Sequence, residues 1–211
     1  MVYKKLIISR AIFLSFLTSA AMAADVGRGE ELYELCAQCH GETGAGNQAF
    51  EAPSIAGLDQ WYLEAQLEKF QLGLRGAHPE DLPGMRMRPM ATTLIHEGDV
   101  ADVAAFVASL PPASPEAVNV EGNASKGRIL YMICMSCHGP QGAGDLKQHA
   151  PPLARANDWY LLAQLRKFKA GIRGSDPRDA SGLLMQPQAK NLPNEQAMKD
   201  VIAYIMTMPK Q

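Results

Sequence analysis

Apolar residues recur at helical spacing in three stretches of the first half of the chain, and matching stretches return in the second half. Leu32, Tyr33 and Leu35 mark the segment 30–36, and Leu130, Tyr131 and Ile133 mark 128–134. Leu63, Leu67 and Phe70 line one face of 61–70, and Leu161, Leu165 and Phe168 line the same face of 159–168. The spacing predicts a helix at each. Asp59 in the first copy, and Asn157 or Asp158 in the second, are placed to cap the second helix, with Gly73 and Gly171 as its stops. A last helix is predicted over 99–110 and over 195–208, the latter capped by Asn194 and both ended by a proline. Neither half carries a strand-like alternation, so the pattern predicts an all-α protein.

The recurrence is an internal repeat in strict register. Adding 98 to a position in the first half carries Cys36 to Cys134, Pro53 to Pro151, Trp61 to Trp159 and Met87 to Met185. Roughly 36 of the 83 positions from 29–111 are identical in 127–209, well above what similar composition gives. Two units of this size sit near the low end of independent domains. The expected organisation is a segment 1–23, a first domain 24–111, a linker 112–123 and a second domain 124–211. The linker opens Pro111-Pro112-Ala113-Ser114-Pro115, extended at its start, and about a dozen residues span at most roughly 40 Å, which keeps the domains close.

The chemistry lies in a pentapeptide present twice, Cys36-Ala37-Gln38-Cys39-His40 and Cys134-Met135-Ser136-Cys137-His138, which together use all four cysteines. Cys-x-x-Cys-His is the attachment signature of c-type haem. Two thiols three positions apart can bond one porphyrin edge, with the neighbouring imidazole on the iron. Four cysteines could instead hold a zinc ion, or either pair could form a redox disulfide. Neither of those needs the histidine, and one chance copy in a chain this long has a probability on the order of 10⁻³. The reading is therefore two covalently bound haem c groups, on Cys36 and Cys39 and on Cys134 and Cys137. Domains this small depend on the porphyrin as an apolar body to pack around, so the chain without haem is expected to fold poorly.

The sixth ligand follows from the repeat. Of Met85, Met87 and Met90, only Met87 has a methionine, Met185, at the equivalent position, and each is followed by x-Pro in what reads as a loop. A methionine is ordinarily core filler, but one retained between diverged copies about 47 residues beyond the haem histidine points to a ligand. His40 and Met87, and His138 and Met185, are the expected axial pairs, with Met90 the substitute for Met87. Such ligation raises the potential relative to bis-histidine and leaves no open position for a substrate. The expectation is an electron carrier and no enzyme. His78, His96 and His149 have no histidine counterparts and read as surface residues.

Lys4, Lys5 and Arg10 precede an apolar run from 11–21 that ends in Ala21-Met22-Ala23, the composition of a cleaved export signal. The run is too short to span a bilayer, and export predicts a periplasmic location. Residues 24–111 then hold 14 acidic and 5 basic residues, net −9, and 112–211 hold 8 and 12, net +4. Such a dipole can orient the molecule toward charged protein partners, and nothing in it suggests nucleic acid.

In both attachment motifs, the Pro53 and Pro151 loops, the Trp-Tyr-Leu-x-x-Gln-Leu segments and the Met-x-Pro segments, the chain resembles the dihaem class I cytochromes of the c4 family over essentially all of 24–211. The resemblance implies two all-helical cytochrome c domains packed face to face. It implies a periplasmic monomer passing electrons from a donor such as a quinol-oxidising complex toward a terminal oxidase or reductase. It also implies that the Pro53 and Pro151 carbonyls accept the N–H of the haem histidines, and that Arg75, Arg173, Trp61 and Trp159 are candidates for propionate or haem-edge contacts. The Arg-Gly-x-x-Pro-x-Asp segment before each methionine is similar to single-haem domains of oxidase subunits. The alternatives are a dihaem enzyme of the peroxidase or thiosulfate dehydrogenase type, and a cytochrome subunit held permanently by a dehydrogenase.

Overall fold

The computed structural model describes residues 23–113 and 119–210. The export-signal reading falls almost wholly on residues outside this range, as do 114–118 of the linker.

Each half is built of packed helices joined by loops, and no strand occurs among the described residues. In the first half α1 (Val26–His40), α2 (Gln60–Gln71), α3 (Leu82–Ala91) and α4 (Asp99–Ser109) follow in order. The second half runs through α5 (Ala124–Leu130), a 3₁₀ turn over Tyr131–Ile133, α6 (Met135–His138), α7 (Asp158–Ala170), α8 (Ala180–Lys190) and α9 (Glu195–Ile205). The helix that opens the first half is thus continuous, while its counterpart is broken just before the attachment motif.

The opening and closing helices of each half cross at a glycine. A Cβ on Gly29 would lie 2.1 Å from the Asp102 carbonyl oxygen, and one on Gly127 would lie 1.9 Å from that of Asp200. Only a residue without a side chain admits that approach. The same two aspartates tie down the chain entering each half: Asp102 accepts from the Asp25 N–H at 2.7 Å and Asp200 from the Asn123 N–H at 2.8 Å. Tyr33, Leu58, Leu63, Leu94, Val103, Ala104 and Val107 form the first core, and Tyr131, Leu161, Leu192, Met198, Val201, Ile202 and Ile205 are prominent in the second.

Two sequence expectations need correction. Met87 and Met185 do not stand in loops but on α3 and α8, helices that the pattern did not predict. Pro89 and Pro187 sit inside these helices, and neither helix shows an apolar stripe, so the ordinary signals pointed the wrong way. What starts them is an aspartate cap: Asp81 accepts from the Gly84 N–H and Asp179 from the Gly182 N–H, both at 3.0 Å. The glycine is required, because a Cβ at either position would fall 2.2 Å from the capping carboxylate. Second, Asp59 and Asn157 occupy the N-cap positions of α2 and α7 but make no side-chain cap bond. The Asn157 side chain instead accepts from the Ser54 N–H of the other half at 2.7 Å.

A haem-binding cavity shared by two halves

The attachment motifs close the opening helix of each half. Cys36 lies on α1, and Cys39 and His40 occupy its last turn before Gly41 ends it at φ 78°. In the second half Cys134 sits at the junction of the 3₁₀ turn with α6, and His138 ends α6 before Gly139 at φ 77°. A tyrosine one turn earlier fastens the loop that follows: the Tyr33 hydroxyl donates to the Gly41 carbonyl at 2.7 Å and Tyr131 to Gly139 at 2.8 Å.

Both histidines are buried and oriented alike. Nδ1–H donates to the carbonyl of Pro53 from His40 and to that of Pro151 from His138, each at 2.8 Å. The bond fixes the tautomer and leaves Nε2 as the nitrogen available to a metal, the arrangement in which a backbone carbonyl orients a ligating ring. Burial holds both imidazoles below their ordinary value, against the opposing pull of the carbonyl, which favours the neutral ring that ligation requires. The carbonyl contact is the one the sequence resemblance implied.

Burial raises the Cys36 and Cys134 thiols to about 11. A redox-active thiol needs the opposite, a thiol lowered toward thiolate by nearby positive charge. The environment is that of a sulfur laid against an apolar wall, which disfavours the redox-disulfide reading of the motif.

All four cysteines, both histidines, Met87 and Met185 line one cavity of about 490 Å³ that runs across the interface between the halves. Met90 and its counterpart Gln188 line it too, whereas Met85 is exposed. The cavity therefore excludes Met85, and the repeat rather than the geometry separates Met87 from Met90. Trp159 lines the cavity; Trp61 stands outside it, edge-on to Tyr62 and to His149 across the interface. His78, His96 and His149 are exposed.

Two buried guanidiniums complete the cavity. Arg75 lies over the Phe70 ring at 4.3 Å and Arg173 over Phe168 at 4.5 Å. Arg75 donates to Gln66 at 2.8 Å and, across the interface, to the Tyr160 hydroxyl at 3.3 Å. Arg173 donates to Gln164 at 2.7 Å and across the interface to Gln66 at 2.9 Å. The Nε–H of each is buried without a partner. An unpaired buried N–H costs free energy unless something absent from the protein chain accepts it. One such donor per half, in a cavity whose surface is mostly apolar, fits the carboxylates of two haem groups.

The interface that encloses the cavity is nearly symmetric. Lys69 pairs with Asp179 at 2.7 Å and Lys167 with Asp81 at 2.5 Å, positions exchanged by the 98-residue offset. Arg155 donates at 2.7 Å to the carbonyl of Gly57, its own counterpart. The sequence reading missed these ion pairs. Their signal was present, since Lys69, Tyr62 and Asp81 each recur identically as Lys167, Tyr160 and Asp179.

Comparison with known proteins agrees with this geometry. The model of the family described as Cytochrome c matches residues 26–111 and again 124–209. A thiosulfate dehydrogenase electron acceptor of Stutzerimonas stutzeri (strain A1501) is 32% identical over 185 residues, 79% of this chain and 80% of its own length. The reduced recombinant cytochrome c4 of Pseudomonas stutzeri superposes with a TM-score of 0.71 at 25% identity, over 89% of this chain and 100% of that one. The thiosulfate dehydrogenase (TsdBA) of Marichromatium purpuratum, in its as-isolated form, gives 0.70 at 31% identity over 87% of this chain. The present chain spans only 40% of that protein. Two attachment motifs on two domains that both match the family model leave one assignment: the chain belongs to the cytochrome c family, as a dihaem class I cytochrome carrying two covalently bound haem c groups, one at Cys36 and Cys39 and one at Cys134 and Cys137.

Proposed function

We propose that this dihaem cytochrome is an exported, periplasmic electron carrier that performs no bond chemistry, with His40 and Met87 on one iron and His138 and Met185 on the other. The observation that carries the reading is the shared cavity: both attachment sites open onto one space, each with a carbonyl-oriented imidazole and a methionine-bearing helix. Haem iron supplies one-electron chemistry when bound, and a strong ligand on each face leaves it nothing else to do.

The residues divide the work. Pro53 and Pro151 hold the imidazoles in one orientation, so that oxidation and reduction proceed with little movement. Arg75 and Arg173 neutralise the carboxylates of the groups they border and tie the two centres to a common interface. The acidic first half and basic second half give each centre a differently charged face for a donor and an acceptor. A dehydrogenase as donor and a terminal oxidase as acceptor fit this scheme, and the name of the Stutzerimonas relative supports the first. No described helix is long and apolar enough to cross a membrane.

The similarity to a thiosulfate dehydrogenase motivates the rival, an enzyme with one labile iron ligand. The test is to add thiosulfate alone to the oxidised holoprotein and follow the haem spectrum, then to offer carbon monoxide to the reduced form. A carrier stays oxidised until a reducing partner is supplied and binds carbon monoxide slowly at both centres. Direct reduction by thiosulfate, or rapid uptake of carbon monoxide at either centre, overturns the reading.

A further inference from the structure

The ion pairs at the interface do more than join two surfaces. Asp81 and Asp179 are the N-caps of α3 and α8, the helices that carry Met87 and Met185. The cap of each methionine helix is therefore gripped by a lysine from the opposite half. Lys167, on α7, meets Asp81 at 2.5 Å; Lys69, on α2, meets Asp179 at 2.7 Å and donates to Ser181 on the first turn of α8 at 2.5 Å. The lysine side chains are 14% and 13% exposed for Lys69 and Lys167, and their aspartates 1% and 6% for Asp179 and Asp81. These are enclosed pairs rather than solvated surface bridges, and an aspartate left without its lysine would be a buried, poorly compensated charge at the start of the helix.

We propose that Lys69 and Lys167 are crossed positioning residues: each holds, through the capping aspartate of the other half, the helix that presents the methionine ligand to the opposite haem. The proposal rests on the assignment of Met87 and Met185 as ligands and adds to it a route by which one half controls ligation in the other. Each methionine stands six residues beyond its cap, which is about 9 Å along the axis, so the cap sets the height and rotation at which the thioether is offered. Pro89 and Pro187 remove a backbone donor farther along each helix and leave the capped end the better anchored. The arrangement is reciprocal, each lysine exchanged with the other by the repeat, as an isologous contact requires. It has also outlasted the divergence that turned one half from net −9 to the other's +4: Lys69 is one of only five basic residues in the acidic half, and it faces the other half.

A lysine that acts in this way has a signature that a merely structural contact lacks, since its loss is read at the haem it does not border in sequence. The experiment uses the full-length dihaem protein with Lys167→Met or Lys69→Met. Imidazole is titrated into the oxidised form to displace the thioether, and the axial methionine methyl signals of the reduced form, assigned with Met87→His and Met185→His, identify the centre. Lys167→Met is expected to strengthen imidazole binding at the first centre by on the order of tenfold and leave the second nearly unchanged, with Lys69→Met doing the converse. Lys167→Arg, which keeps the charge, restores most of the original behaviour. Should Lys167→Met fail to accumulate with both haems, Lys167→Gln keeps a hydrogen-bond donor at similar length and is read in the same way. Equal responses at both centres, a response confined to the lysine's own half, or no response overturns the proposal. Absence of methionine methyl signals from the unsubstituted protein overturns the ligand assignment and the proposal with it, so the two failures are told apart.

Discussion

The two halves of this molecule are the same machine on two different bodies. The histidine to carbonyl bond is 2.8 Å in both, the tyrosine that fastens the loop recurs as Tyr33 and Tyr131, and each arginine lies over its own phenylalanine at nearly the same distance. Away from the cavity the halves have parted. The closing helix of the first half places Val103, Ala104 and Val107 in the core where the second places Val201, Ile202 and Ile205. The opening helix is one continuous segment in the first half and breaks into α-helix, 3₁₀ turn and α-helix in the second. Divergence has altered charge, core volume, helix continuity and some cross-interface contacts such as that of Arg155 with Gly57, and has left the attachment motifs, the buried arginines and the two crossed lysine–aspartate pairs in place.

The largest effect should come from removing one haem at a time. Cys36→Ala with Cys39→Ala is expected to abolish the first centre and unfold most of its half, because a core closed by Ala104 cannot compensate for the missing porphyrin. The matching change at Cys134 and Cys137 should abolish the second centre but leave more residual helix, since Ile202 and Ile205 give that half a fuller core. Far-ultraviolet circular dichroism of the two variants decides it. Equal loss of helix would mean that core volume does not distinguish the halves.

That comparison sharpens at one position. Ile202 is 0% exposed and its counterpart Ala104 is 1% exposed, so both are fully enclosed in cores of different size. Ile202→Ala should cost about 2–5 kcal/mol in denaturant unfolding of the holoprotein. Ala104→Ile should not stabilise the first half in return. A close-packed site has no room for the added carbons, and overpacking costs about 1–3 kcal/mol. A gain in stability from Ala104→Ile would show that the first half holds an unfilled space.

Most of this architecture was legible in the chain. Helices α2, α4, α7 and α9 carry regular apolar spacing, and their observed limits lie within a few residues of the expected ones. The cysteines and histidines of the site announce themselves by order alone. What stayed hidden has a physical reason in each case. The helices bearing Met87 and Met185 begin at an Asp-x-x-Gly cap and contain a proline, so neither periodicity nor propensity reveals them. The break at Tyr131–Ile133 could not be anticipated either, because the apolar positions of the broken and unbroken copies are nearly the same. The interface lysines carry no motif or periodic signal beyond their recurrence in the repeat, which does not say which aspartates they meet, and Asn157 gives its side chain to a neighbouring half rather than to its own helix.

The smallest effect tests whether drift at the surface matters at all. In the second half Asp176 and Arg178 form a bidentate pair at 3.0 and 2.7 Å, where the first half has His78 and Glu80. The side-chain and backbone bonds from Arg178 hold the Asp176 carboxyl down at about 2, below its ordinary 3.8. A carboxyl lowered on folding contributes stability that is complete above the unfolded value, and the contribution is lost as the pH falls through the folded one. Its window therefore runs from about pH 4 down to about 2, and it belongs to the second half alone. Arg178→Ala should return the carboxyl toward 3.8 in a carbon-detected NMR titration while leaving the melting temperature at neutral pH within the spread of replicate measurements. The pair is open to solvent, and such bridges contribute little. A clear drop in melting temperature at neutral pH would mean that this exposed loop, which leads into the capping aspartate Asp179, is coupled to the methionine helix. The divergence at positions 78 and 176 would then count as a functional difference between the halves.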